Sequence, residues 1–169
     1  MKKKLAVLVL LVLPVFFLVA CSMSNTPTSK VEALFTKYQT LDSDIDAGIN
    51  DVLGEQNLSL AQKDRYRDIL EKQYKNLTYQ IKDELVDGDT ATVITEVEVT
   101  DLKKTINDLV FDSSIYTKES YDEEKLYRLE QAKDKVKYTL ELTLRQDTND
   151  EWKLDALTNE QIKKIQGMY

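Results

Sequence analysis

Apolar residues recur along this chain with two periods, and the switch between them divides it into segments. From Val31 the apolar positions Leu34, Phe35, Tyr38 and Leu41 follow at steps of three and four, the stripe of a helix that buries one face. Leu41, Ile45, Ile49 and Val52 predict a second helix ending near Gly54, and Tyr66, Ile69, Leu70 and Tyr74 a third. Beyond Lys75 the period drops to two. Leu77, Tyr79, Ile81 and Leu85 alternate with Thr78, Gln80, Lys82 and Glu84, and after "VDGDT" Ala91, Val93, Val97 and Val99 alternate with Thr92, Glu96, Glu98 and Thr100. Asp87-Gly88 between them predicts a type I′ hairpin turn, whose two central residues take positive φ.

Asp101 to Asp134 returns to a mostly helical pattern, broken around "SSIYTKES". "VKYTLELTLR" is the cleanest strand, with Val136, Tyr138, Leu140, Leu142 and Leu144 on one phase, and "DTNDE" turns it back into Trp152, Leu154 and Ala156. Ile162, Ile165 and Met168 carry a closing helix. Four stretches have the spacing of a capping box, in which the first side chain and the fourth satisfy each other's free backbone amides. They start at Ser29, Ser59, Ser120 and Thr158.

The resulting order predicts an α+β fold: N-terminal helices packed on a curved, mostly four-stranded antiparallel sheet, with a helical crossover and a C-terminal helix. One sheet face is apolar. The other carries Thr92, Glu96, Glu98, Lys137, Glu141 and Arg145, so helices cover one side only.

The chain opens on Met1-Lys2-Lys3-Lys4 and then runs from Leu5 to Val19 without a charge. That is the charged and apolar order of a secretory signal, short for a spanning helix and interrupted by Pro14. Leu18-Val19-Ala20-Cys21 closes the run and resembles a bacterial lipobox, which implies cleavage after Ala20 and diacylation of Cys21. Two acyl chains anchor stably where one is marginal. The expected organisation is thus a signal over residues 1–20, a lipidated cysteine and polar tether over 21–28, and one domain over 29–169, lipid-anchored on the extracytoplasmic side of the cell membrane.

Composition narrows the chemistry. Cys21 is the sole cysteine, so the domain has no internal disulfide, and the absence of histidine excludes a Ser-His-Asp or Cys-His catalytic unit. Net charge is −7, and −10 once residues 1–20 and their three lysines are removed, which argues against nucleic acid as a partner.

With these features in view, the lipobox, the tether and the phrases "SKVEALFTKYQ", "YDEEKLYRLEQAKDKVKYTLELTL" and "EWKLDALTNEQIKKIQGMY" resemble a family of small lipoproteins of Gram-positive bacteria. The resemblance implies a cystatin-like fold of the nuclear transport factor 2-like kind, in which a curved sheet wraps a long helix and encloses a cone. It implies no catalytic residue.

Candidate chemistry is sparse. Asp42, Asp44 and Asp46 alternate as in a calcium loop, but glycine and glutamate fall out of step with an EF-hand. Neither a metal nor a cofactor is expected. Tyr79, Tyr138 and Trp152 stand on apolar phases of three strands and are the candidate lining of a cavity in the cone. Asp83 is the one acid on such a phase and the candidate base for an acid–base enzyme using Asp and Tyr. The favoured reading is a non-enzymatic binding module. Its partners are the membrane, through the anchor, and an envelope protein or small ligand; a homodimer through the sheet is the further option.

Overall fold

The computed structural model describes residues 25–169. Cys21 and the lipobox residues Leu18, Val19 and Ala20 lie outside the described residues.

The fold is α+β, with six helices and a four-stranded antiparallel sheet among the described residues. The helices α1 (Pro27–Thr40), α2 (Ser43–Glu55) and α3 (Leu60–Lys75) precede β1 (Thr78–Asp87) and β2 (Thr90–Thr100). Helices α4 (Leu102–Ile106) and α5 (Lys118–Gln131) cross to β3 (Lys135–Gln146) and the short β4 (Trp152–Leu154), and α6 (Asn159–Gln166) closes the chain. The strands lie in the order β1-β2-β3-β4. Helix α1 packs on β1, β2 and β4, and α6 on β2.

Every second residue of β2 is buried: Ala91, Val93, Thr95, Val97 and Val99 face α1, and their partners Leu140, Leu142 and Leu144 extend that surface across β3. With Val31, Phe35, Leu70 and Ile165 from the helices they form the main core. Ile69, Leu102, Leu126 and Leu129 form a second, smaller one that joins α3, α4 and α5.

Two caps form where the spacing puts them, at Ser59 with Gln62 and at Thr158 with Gln161. Two others start one turn earlier than expected. α1 is capped by Thr26 and α5 by Thr117, and Ser29 and Ser120 serve as the reciprocating partners three residues on. Pro27 explains α1, since a proline without an amide belongs in the first helical turn.

The first hairpin differs from expectation in two ways. Its turn residues are Gly88 and Asp89, and Gly88 alone takes positive φ, +61°, which is the type II′ pattern. A β-bulge at Lys82 also shifts the register, so that Ile81 pairs with Thr95 but Asp83 with Ile94. One extra residue reverses which face each later side chain takes. Asp83 and Leu85 therefore stand on the solvent face, against the expected alternation, and Glu84 and Val86 turn to the α1 side. Glu84 uses that position: its Oε2 accepts from the backbone N–H of Thr28 at 2.9 Å and from the Thr28 hydroxyl at 2.6 Å, a carboxylate at the start of α1.

A buried carboxamide joins three elements. Gln73 on α3, 3% exposed, donates from Nε2 to the carbonyls of Thr100 (2.8 Å) and Gln166 (3.0 Å) and accepts from the Thr100 N–H at 3.1 Å. Gly167 makes the approach feasible. Its φ is +69°, and a Cβ built there would lie 2.0 Å from the Thr100 oxygen. Gly167→Ala is expected to destabilise by on the order of 3 kcal/mol, read as the loss of urea midpoint. Thr95, fully buried, has an Oγ1 with no hydrogen-bond partner among the described residues. Thr95→Val removes that unpaired hydroxyl at nearly constant shape and is expected to raise stability by about 1 kcal/mol, measured by thermal unfolding.

Candidate functional site

The aromatic side chains singled out as cavity lining do not meet. Tyr79 stacks on Phe35 with ring centroids 4.6 Å apart. Tyr138 lies two strands away, since both pair with Val97, and packs edge-on against Tyr169. Trp152 is buried at the far end of β3, opposite Gln146, eight residues or roughly 25 Å along the strand from Tyr138. The helix tyrosines Tyr38 and Tyr74 pack edge-to-face in the core, and burial pushes both phenols above their ordinary range. Phe35, Tyr38, Tyr74 and Trp152 are core side chains, while Tyr79 and Tyr138 are half-buried at its margin.

The acids are equally dispersed. Asp83 is exposed on the solvent face, and its Oδ1 accepts from the Glu84 N–H. Asp42 caps α2, Asp44 pairs with Lys37 at 2.8 Å, and Asp46 with Arg67 at 2.7 Å. Among the described residues no carboxylate is buried, and no group of three or more His, Cys, Asp or Glu is placed to hold a metal.

The surface features that do converge lie around α5. Helix α5 is bound to α3 by Arg65, whose Nε and Nη2 donate to the two oxygens of Glu130 (2.7 and 3.1 Å) and whose Nη1 donates to Glu123. Gln62 Nε2 adds a 2.8 Å bond to Glu123. Capping explains why Glu123 is available for this. Ser120 takes the reciprocal role in the α5 cap, so the glutamate three residues later reaches across to α3.

Two depressions flank the Arg65 bridge. One, of about 210 Å³, has Ile69, Leu102 and Leu129 as its floor and Gln73 and Thr100 at its back. The other is a broader groove of about 580 Å³ along α5, lined by Arg65 itself with Tyr116, Glu119, Glu123, Glu124 and Tyr127 among others. Beside that groove the segment before α5 holds apolar side chains in water: Val110 is 73% exposed, Ile115 71% and Phe111 49%. The segment is fixed by its own bonds. Asp112 accepts from the Ser114 N–H and hydroxyl through Oδ1 and from the amides of Ile115 and Tyr116 through its carbonyl. Phe111 and Tyr116 both pack edge-on against Tyr121. With Leu60 and Tyr127, five of the eight exposed large apolar side chains among the described residues belong to α3, α5 and this segment.

The periodicity predicts a mostly helical stretch from Asp101 to Asp134, broken around "SSIYTKES", and does not mark this face. Its signal was present in "LVF", Leu109 to Phe111, an apolar run that fits neither the helical nor the strand period.

No family model, curated protein or solved structure matches this chain. Among the described residues no helix is long and apolar enough to cross a membrane.

The Arg65 bridge gives α5 a pH-dependent hold. Hydrogen bonds from Gln62 and then Arg65 keep the Glu123 carboxyl below its ordinary value of 4.5. A carboxyl lowered in the folded state contributes stability that is complete above that value and lost as pH falls through the lowered one. The urea midpoint of the native chain should therefore exceed that of Glu123→Gln at about pH 6, and the gap should narrow as the pH falls below 4.5.

Proposed function

We propose that this protein is a lipid-anchored extracytoplasmic module that acts by binding, with the α5 face as its working surface. The observation that carries the reading is the separation of the chain's entry from that face. Asn25, where the described chain begins, accepts from the Trp152 N–H at 2.9 Å and donates to the Asp150 carbonyl at 2.7 Å. It is thereby fastened beside the β3–β4 hairpin. Helices α4 and α5 are built off the opposite end of the sheet, where Thr100 pairs with Lys135. β3, which spans that distance, has 12 residues and a length of roughly 40 Å. A domain tethered through Cys21 would thus hold its exposed apolar face away from the bilayer.

We read the fold in finer terms as cystatin-like, of the nuclear transport factor 2-like kind; α1 lying along one face of the antiparallel sheet supports this. Binding rather than acid–base catalysis is favoured because Asp83, the acid proposed for that chemistry, stands on the solvent side of the sheet.

The test has two arms in the same cells. The native chain is expected to incorporate a palmitate probe and sediment with membranes, whereas Cys21→Ala stays unlabelled and keeps its signal. A photo-crosslinking residue at position 115 is expected to trap discrete adducts in intact cells, whereas one at position 141, on the solvent face of the sheet, does not. Labelling of Cys21→Ala, or equal adducts from both positions, would overturn the reading.

A further inference from the structure

The groove along α5 says something about what fills it. Between Asn107 and Gln131 there are seven acidic residues against three basic ones. Arg65 is neutralised by Glu123 and Glu130, Arg128 by Glu124 and Asp108, and Lys118 by Asp122, while Lys125, the remaining base, lines a different depression with Leu58 and Tyr66. Glu119, on the groove wall, and Asp112, beneath Ile115, enter no ion pair among the described residues. Tyr116 and Tyr127 thus line the groove, Phe111 and Ile115 stand exposed on the segment that leads into it, and Glu119 and Asp112 give its rim negative charge that no ion pair among the described residues offsets.

Three classes of occupant fit poorly. An anionic membrane surface and a nucleic acid would both be repelled by the rim. A second copy of this chain on a two-fold axis would set the same acids against one another. What remains matched in both respects is a segment with one apolar stripe flanked by lysine or arginine. The groove residues Ser120, Glu123, Glu124 and Tyr127 span two turns of α5, about 10 Å, so the matching length is two to three turns of a partner helix with anchors at i, i+3 or i+4, and i+7. Because the 107–117 segment is already fixed by Asp112 and Tyr121, little ordering is needed when the helix arrives.

We propose that the α5 groove docks a cationic amphipathic helix of another protein. This rests on the reading of the α5 face as the working surface and names the chemistry of its partner.

The test uses the full chain in zwitterionic nanodiscs, with empty nanodiscs as the reference. The probe is a synthetic helix-forming peptide of leucine and lysine with a single apolar stripe, and its counterpart carries glutamate for every lysine. The lysine peptide is expected to bind one-to-one above the empty-disc signal, and the glutamate peptide at least about tenfold more weakly. Ile115→Ser and Glu119→Lys, both surface changes, should each weaken the lysine peptide by about tenfold. Leu85→Ser, at the other end of the molecule, should leave it unchanged. Equal binding of the two peptides, or indifference to both groove variants, would overturn the proposal. Absence of any binding while position 115 still cross-links in cells would remove the cationic helix and leave the docking face standing; absence of both would remove the face as well.

Discussion

The carboxamide of Gln73 is the contact on which the arrangement of this protein depends. A buried amide must satisfy two donors and an acceptor, and Gln73 does so by reaching the end of β2 and the last turn of α6 at once. The Lys103 N–H adds a 2.8 Å bond to the Gly167 carbonyl on the other side of the same junction. The sheet, the closing helix and α3 are thus fixed to one another at a single point. Leu102 follows β2 within two residues, so α4 and the second core are placed from there. The α5 groove takes its position from this chain of contacts, with Arg65 two turns before Gln73 on the same helix.

Where a side chain answers to its own neighbours in sequence, the reading from sequence was close. The strand periods of β2 and β3, the caps at Ser59 and Thr158 and the α+β order follow from local spacing. The caps of α1 and α5 show the limit of that logic. Each has two hydroxyl residues three apart, Thr26 with Ser29 and Thr117 with Ser120, and the same spacing recurs from serine to glutamate one turn later. Both registers satisfy the local rule. In α1 the choice is made by Pro27, and in α5 by tertiary partners, since Glu123 is held by Gln62 and Arg65 on another helix.

The bulge at Lys82 is the larger departure and has the same origin. Nothing in the alternation of "TYQIKDELVD" announces an extra residue, because Leu85 continues the apolar phase of Tyr79 and Ile81. The deciding partner is 56 residues away: a glutamate is needed beneath the first turn of α1, and only the shifted register delivers Glu84 to Thr28. Asp83 lost its place in a candidate site by the same shift. The α5 face was hard to see for a related reason. Its apolar residues sit in irregular backbone held by Asp112, outside any periodic pattern that marks a buried stripe.

The bulge also bears on crowding. β1 is one of the two outer strands of the sheet, and a straight outer strand offers a row of free amides and carbonyls on which another chain can pair. Lys82 breaks that row in the middle, and its ammonium, 3.5 Å from Glu96, keeps a charge at the break. A neighbouring molecule would find no uninterrupted run of free groups along β1 to extend. The residue that turns Glu84 toward its helix thus also guards this edge of the sheet against pairing with another copy.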